Sequence, residues 1–427
     1  MKIHINKTFI TDSSLECEPG CYFLQTQSNH KYTDSALEKK ATIIDVDECK
    51  NLLKIDKNIK IVGITGTNGK TTTATAIYSS LMKLGFKCGL SGTRGAFING
   101  KNIDEKSLTT SPIFKTLYYL QKASEEKCDF FVMEVSSHAI SQNRIEGLDF
   151  ALKIFTNLSQ DHLDYHKSIE EYANVKSSFF QDDSLKLINK DDKSIKFNEK
   201  NAYFYSLKQN SDFYSINYEL KERIKALVKT NNEEIWLDLG LQGEFNLYNM
   251  LAVFGAISLL TDKNIKQISK ALSEFNGVDG RMQIVSKKPL VIVDFAHTPD
   301  GIEKVLHALR HLSLVVIFGA GGDRDKTKRP KMGEIVQRYA RVSIITSDNP
   351  RSERPQDIIN DIYTGMNKEN IIQEEDRKKA IKIGLSSLQD GEALVILGKG
   401  DEEYQEINGV KFPFSDKKIV EEILKEI

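Results

Sequence analysis

An α/β fold with parallel sheets in more than one domain is what the sequence predicts, and three observations predict it. From about residue 61 onward, apolar runs of strand length alternate with helical patterns, as a parallel sheet with covering helices requires. A glycine-rich turn, Thr65-Gly66-Thr67-Asn68-Gly69-Lys70-Thr71-Thr72, separates the apolar run Ile61-Val62-Gly63-Ile64 from a helical pattern beginning at Thr73. Later strand candidates, 315–318, 343–346 and 394–397, end in loops rich in glycine and charge, where open α/β sheets bind ligands.

With 427 residues the chain exceeds one ordinary core, and at about 100–200 residues per domain we expect three. Residues 1–58 read as a small leading domain of short strands and turns, with Asp12-Ser13-Ser14 and Pro19-Gly20 as turn chemistry. The polar stretch Lys54-Ile55-Asp56-Lys57-Asn58 precedes the glycine-loop strand and marks the first boundary. Residues 59–284 form the expected central domain. Its strand candidates are 130–135 and 153–158, an antiparallel flap is expected over 202–241, and helices over 246–260 and 265–275. Residues 285–427 begin a second alternating unit with a strand at 290–294. A dinucleotide is not the expected ligand there, because G-x-G-x-x-G starting at Gly319 fails at Arg324.

Fifty-nine Lys and Arg against sixty Asp and Glu give a formal charge of −1, so no global basic field recommends a nucleic acid or an anionic membrane as partner. No apolar run approaches the roughly 18–20 residues of a membrane helix. The start, Met1-Lys2-Ile3-His4-Ile5-Asn6-Lys7, lacks the apolar core of a secretory signal. We expect a cytoplasmic, monomeric protein. Five cysteines, an odd and scattered set, complete no zinc site, and Cys17 and Cys21 are expected as free thiols.

Gly66, Thr67, Asn68 and Gly69 can close backbone N–H groups around phosphate oxygens, while Lys70 and the helix start at Thr71 and Thr72 add positive potential. The general phosphate loop would need glycine where Ile64 stands. This is a cradle for a nucleoside triphosphate. Glu134 closes one apolar strand and Asn157 another, ahead of Asp161-His162-Leu163-Asp164-Tyr165-His166. A carboxylate and a histidine at neighbouring strand ends could hold magnesium against the phosphates, with the Thr71 hydroxyl as third ligand. Without the glycine loop, His162 would read as a polar-loop histidine with no ligand role.

Gly-Thr-Asn-Gly-Lys-Thr-Thr resembles the phosphate loop of the Mur ligases and of the related folylpolyglutamate synthases. Its continuation is specific: Thr109-Thr110-Ser111-Pro112, Glu134-Val135-Ser136-Ser137-His138, the Asp161–His166 run, Tyr172-x-x-x-Lys176, Gly243-Glu244-Phe245-Asn246-Leu247-Tyr248-Asn249, Gly280-Arg281-Met282 and Asp294-Phe295-Ala296-His297-Thr298-Pro299. This order resembles the Mur ligase branch that adds the third peptide residue to the cell-wall precursor. The resemblance implies three domains: a small N-terminal α/β unit, a P-loop-type central sheet and a Rossmann-like C-terminal unit.

It further implies that Lys176 is carbamylated and joins Glu134 and His162 at a magnesium ion, although by sequence alone Lys176 is a lysine on a solvated helix face. Ser13, Thr109, Thr110, Ser136, Gln142 and Arg144 would meet the substrate UDP-N-acetylmuramoyl-L-alanyl-D-glutamate. Asn246, Asn249, Arg281, Asp294 and His297 would meet the adenine and ribose of ATP. Two positions depart from the family pattern: Ser14 stands where arginine is usual after Asp12-Ser13, and Asp401 where histidine is common.

Asp348-Asn349-Pro350-Arg351 follows a strand candidate; Pro350 stiffens the loop and Arg351 offers paired donors to a carboxylate. It resembles the motif of family members that add meso-diaminopimelate, with Arg324, Gly398 and Glu402 completing the pocket. On residues alone Arg351 could instead form a surface ion pair with Glu353. The expected activity is ATP-dependent amide formation through an acyl phosphate. A lysine-adding member of the family, a folylpolyglutamate synthase and a nucleotide switch are the alternatives.

Overall fold

The computed structural model describes residues 1–426 except 106, 107, 222, 231, 232 and 368. Its strands form sheets of four, eleven and six, plus a two-stranded hairpin. The leading sheet runs Lys2–Ile5, Thr8–Thr11, Tyr22–Leu24, Thr42–Ile44, an antiparallel pair followed by parallel neighbours. Ile3, Ile10, Leu24 and Ile44 pack into one core with Ile61, Phe131 and Met133 of the next sheet. The leading sheet is therefore fastened to the second by shared apolar burial.

The eleven-stranded sheet has the order Glu234–Leu239, Ile224–Lys229, Phe213–Leu220, Ala202–Ser206, Lys186–Asn189, Phe150–Phe155, Lys60–Thr65, Phe130–Glu134, Cys88–Gly92, Gly95–Ile98, Lys101–Asp104. From Phe213–Leu220 to Cys88–Gly92 every neighbour is parallel. The antiparallel flap expected over 202–241 is found only in its second half. Ile224–Lys229 and Glu234–Leu239 are antiparallel, but Ala202–Ser206 and Phe213–Leu220 continue the parallel sheet. Alternating polarity identifies a strand without naming its partner, and pairing here is settled by Leu187, Tyr205, Phe213 and Leu237 entering one core.

The helices Lys70–Lys83 and Glu244–Leu260 cover one face of this sheet. Glu244–Leu260 is apolar on nearly every side and is buried accordingly. The six-stranded sheet runs Gln283–Lys287, Leu290–Asp294, Ala393–Leu397, Leu314–Phe318, Ala340–Ile345, Ile371–Gln373, parallel except for its first, edge strand. That edge strand spans the expected division at 284/285. Apolar cores lie on both faces, as a doubly wound sheet demands. Among the described residues no helix is long and apolar enough to cross a membrane.

Candidate active site

The C-terminal ends of strands from both large sheets open onto one cleft of about 1340 Å³. The middle sheet contributes Thr67, Lys70, Glu134 and His162, and the third contributes His297, Arg324, Asp348 and Glu402. The phosphate loop is shaped before any ligand arrives. Thr67 N donates to Asn157 O at 2.8 Å, Asn68 N to Asn157 Oδ1 at 3.1 Å, and Thr156 Oγ1 to Asn68 O at 2.7 Å. Gly69 takes φ +88° immediately before the helix, and a Cβ there would lie 2.3 Å from Asn249 Oδ1, so no larger residue fits. Lys70 Nζ folds back on the loop, donating to Gly66 O and Thr67 O at 2.8 Å each. Burial lowers its pKa, opposed by the charges of Glu134 and Asp161.

Glu134 is buried at the end of its strand. Its Oε2 accepts from Thr71 Oγ1 at 3.0 Å and its Oε1 from Thr93 N at 2.9 Å. Burial raises its pKa, with Lys70 as the main opposing charge. His162 adopts φ +55°, its Nε2 3.4 Å from Asp161 Oδ2. Burial drives the His162 pKa down, and Asp161 only partly restores it. Asp161 is itself pushed up by burial, yet His162, His297 and Lys328 hold it at about 2.

The solvated-face reading of Lys176 is wrong: the residue is 1% exposed. On the helix Ile169–Ser178 it points inward, placing Nζ 3.1 Å from Gly66 O, 3.3 Å from Thr65 Oγ1 and 4.7 Å above the Tyr172 ring. Burial, with Lys70 adding, pushes its pKa well below the usual lysine range. The helix carries too few apolar residues for its sequence to betray that inward face. Among the described residues no three His, Cys, Asp or Glu side chains gather as a metal set. The Glu134 carboxylate with the Thr71 hydroxyl suits a hard cation; the Lys176 amine as it stands does not.

Several expected substrate residues form one hydrogen-bonded group. Thr110 Oγ1 donates to Glu134 O at 2.9 Å, Ser136 N to Thr110 Oγ1 at 2.9 Å, and Arg144 Nη1 to Thr110 O at 3.1 Å, while Arg144 Nη2 holds Gln142 Oε1. Thr109 joins through Thr93 Oγ1 at 3.2 Å. Ser13 stays apart in the leading unit, where its N bonds Thr11 Oγ1 at 3.2 Å, and it does not line the cleft.

On the nucleotide side, Asn249 Nδ2 donates to Asn246 Oδ1 at 3.3 Å and Asn246 Nδ2 to Gln242 O at 2.8 Å. The Arg281 guanidinium stacks 4.0 Å over the Phe295 ring. Asp401 finds a role in this setting, lying 3.9 Å from Arg281 and 3.6 Å from Arg94. Asp294 accepts from Met282 N and Ala296 N at 2.6 and 2.7 Å. His297 Nδ1 bonds Phe295 O at 2.9 Å, and burial lowers its pKa.

The third sheet supplies the remaining pocket. Asp348 is buried; its Oδ1 accepts from Asn349 N at 2.7 Å, whereas Oδ2 has no hydrogen-bond partner. Burial works to raise its pKa, but Lys399 and Arg377 outweigh that and keep it low. An anion held this way awaits a cationic ligand group. Asn349 Nδ2 and Lys399 Nζ both donate to Glu402 Oε2 at 2.9 Å. Pro350 O accepts from Glu353 N at 3.0 Å. Arg351 pairs through Nε with Glu406 at 3.3 Å and donates from Nη1 to Gly322 O at 2.7 Å, while Glu353 is taken by Arg329 and Lys326. Neither Arg351 contact uses Nη2.

Sequence reasoning missed three supports. Lys399 is fully buried beneath Glu402 and Asn349. Arg377 makes a bidentate pair with Asp416 at 2.8 Å and donates to Leu397 O at 2.9 Å, fixing the strand end ahead of Gly398. Asp300 accepts from Asn68 Nδ2 at 2.7 Å and Ser159 Oγ at 3.0 Å, joining the third sheet's first helix to the phosphate loop. Only Lys399, set between two glycines, carried a local signal.

Gly398 sits at φ +112°, and a Cβ there would lie 2.4 Å from Asp348 Oδ2. We expect Gly398→Ala to weaken binding of the pocket's ligand by about 1–3 kcal/mol. Calorimetric titration of wild type and variant checks this, and equal affinities would mean the pocket tolerates the methyl group.

Two family models match the sequence, the Mur ligase middle domain over residues 64–257 and the Mur ligase glutamate ligase domain over 280–400. The UDP-N-acetylmuramoyl-L-alanyl-D-glutamate–2,6-diaminopimelate ligase of Wolinella succinogenes is 47% identical over 98% of this chain and 96% of its own. The chain belongs to the Mur ligase family. The enzyme of the same name from Helicobacter pylori is 46% identical, with 98% and 96% covered. A solved structure bearing that name is 30% identical, covers 98% of this chain and 94% of its own, and superposes with a TM-score of 0.68. A Mycobacterium tuberculosis folylpolyglutamate synthase, 16% identical with a TM-score of 0.67 over 82% and 90% of the two chains, shares the fold alone. As a Mur ligase the protein is an ATP-dependent, amide-forming enzyme.

Proposed function

We propose that this Mur ligase adds meso-diaminopimelate to UDP-N-acetylmuramoyl-L-alanyl-D-glutamate in the bacterial cytoplasm, as a monomer whose three units divide the work at about residues 58 and 284. The observation that carries this reading is the buried, anionic Asp348 with an unpartnered Oδ2, facing the same cleft as the phosphate loop and flanked by Arg324 and Arg351. Asp348 and Glu402 suit an ammonium group, and the two arginines suit carboxylates. An amino acid with a second, distal carboxylate uses both kinds of group. The names of the relatives at 46–47% identity support the same substrate pair.

In this reading the γ-phosphoryl group passes to the free D-glutamyl γ-carboxylate, the amine attacks the acyl phosphate, and phosphate leaves. Lys70 swings from its carbonyl contacts to the phosphates and offsets the charge of two anions brought together. Arg144, anchored by Thr110 beside Glu134, meets a precursor carboxylate. Magnesium, held by Thr71, Glu134, His162 and a carbamylated Lys176, would supply further charge neutralisation when bound. Arg281, Asp294 and His297, with Asn246 and Asn249, receive the nucleoside. Catalysis is then mainly positioning of three substrates in one cleft.

Product mass after incubation with ATP, magnesium, the dipeptide precursor and either diaminopimelate or lysine tests the reading. A lysine adduct formed as readily as the diaminopimelate adduct would overturn it. Arg351→Ala sharpens the choice. It should reduce kcat/KM for diaminopimelate by about 2–5 kcal/mol, the cost of breaking a desolvated charge pair, and that for lysine far less. Equal losses would make Arg351 a support of its loop, which its Glu406 and Gly322 contacts also permit.

A further inference from the structure

The third unit brings to the cleft a cation that sequence patterning did not single out. Lys328 opens the helix Lys328–Tyr339, lines the cleft, and keeps only 8% of its side chain exposed. Among the described residues its one ion-pair partner is the Asp161 carboxylate at 3.9 Å, too far for a hydrogen bond. Burying an ammonium without hydrogen bonds to replace its hydration is strongly unfavourable. Such an arrangement suits a site that an anion completes.

The surroundings identify the anion. One turn along the same helix, Lys331 Nζ donates to Gln160 Oε1 at 3.2 Å, and Gln160 Nε2 reaches Asp325 Oδ2 at 3.5 Å. The helix start is thus docked on the segment 157–162, which is the wall of the phosphate loop: Thr67 N bonds Asn157 O at 2.8 Å and Thr67 Oγ1 bonds Ser159 O at 3.2 Å. Asp161, the partner of Lys328, lies within the electrostatic reach of Lys70 and Lys176 as well. Lys70 addresses the phosphate site from the middle sheet, and Lys328 addresses it from the third.

We propose that Lys328 is a catalytic residue that contacts the phosphoryl group in transit from ATP to the carboxylate, with Asp161 as its counter-ion before nucleotide binds. The inference rests on the ligase reading above. In the step concerned, a carboxylate oxygen bonds to the γ-phosphorus while the bond from that phosphorus to the β-bridging oxygen breaks, and ADP leaves with the electron pair. Lys328 offsets charge spread over the three equatorial oxygens. Because it rides on the third unit, its arrival makes phosphoryl transfer depend on that unit's docking.

The test is single-turnover ADP formation by the full chain with ATP, magnesium and the dipeptide precursor, alongside steady-state kinetics with diaminopimelate. Lys328→Met should slow the ADP burst at least about hundredfold, with the amino-acid KM held within about threefold. Lys328→Arg should recover about tenfold of that loss, since the charge returns with a different shape. Ethylammonium should partly restore Lys328→Ala, an effect that a merely structural lysine would not give. A burst in Lys328→Met within about threefold of wild type, or a change confined to the amino-acid KM, overturns the proposal. Should the methionine variant not fold, ethylammonium recovery of the monodisperse alanine variant decides, and its absence overturns the proposal. A wild type that forms no ADP with the precursor would defeat the ligase reading itself, a distinct result.

Discussion

Lys70→Ala is expected to lower kcat by about 10³-fold or more while leaving the melting temperature close to that of wild type. The side chain packs no core. Its Nζ holds two loop carbonyls, Gly66 O and Thr67 O, at 2.8 Å, and without it the loop keeps its bonds to Asn157 and Thr156. What disappears is the cation that lets a carboxylate and a γ-phosphate approach each other. Burial already lowers the Lys70 pKa, and Glu134 and Asp161 oppose that, so nearby anions help keep it charged for this purpose. Rate measurement together with nucleotide binding by calorimetry separates the two roles. Undiminished turnover would take the phosphate loop out of the mechanism.

The phosphate loop was legible because its chemistry is local. Glycine, lysine and threonine at fixed spacing between a strand and a helix need no distant partner to be recognised, and the structure folds them as expected. Asp348 and Gly398 were legible as loop residues following strands, yet their relation to each other was not. A methyl group at Gly398 would strike Asp348 Oδ2, although fifty positions separate the two residues. Arg351 shows the same limit: its sequence neighbour Glu353 was the natural partner to name, but the fold gives Arg351 to Glu406 and Glu353 to Arg329.

Buried charge was the least legible feature. Arg377 and Asp416 sit on two helices that look amphipathic and solvated, yet their pair is fully buried under the pocket strands. Lys328 is likewise almost buried, with no apolar pattern around it to announce that. Hydrophobic periodicity locates faces that seek apolar contact; it carries no signal for a charge whose burial is offset by one distant carboxylate or by a ligand. In the middle sheet the same blindness left the parallel pairing of Ala202–Ser206 and Phe213–Leu220 unread, since register and direction are set by contacts across the sheet.

Lys176→Ala is expected to be nearly inactive, down by about 10²–10³-fold, and partly restored by a short carboxylate such as acetate or propionate. The argument begins from burial. The amine is held 3.1 Å from Gly66 O, and burial, with Lys70 adding, pushes its pKa well below the lysine range, which favours the uncharged form. In carbamylation the uncharged amine nitrogen would bond to the carbon of carbon dioxide as a C=O π pair moves onto oxygen, and a nitrogen proton would pass to solvent, leaving a carbamate anion where the lysine stood. That anion would face the Thr71 and Glu134 oxygens across the phosphate site as a third hard ligand. Alanine opens space at a position lined by Thr65, Gly66 and Tyr172, and a free carboxylate entering it restores the charge without restoring the lysine. If instead the amine serves only to brace the Gly66 carbonyl, the variant should lose thermal stability and gain nothing from added carboxylate. Activity as a function of acetate concentration, with melting temperature followed in parallel, separates these outcomes, and full activity of the alanine variant would remove Lys176 from the metal site altogether.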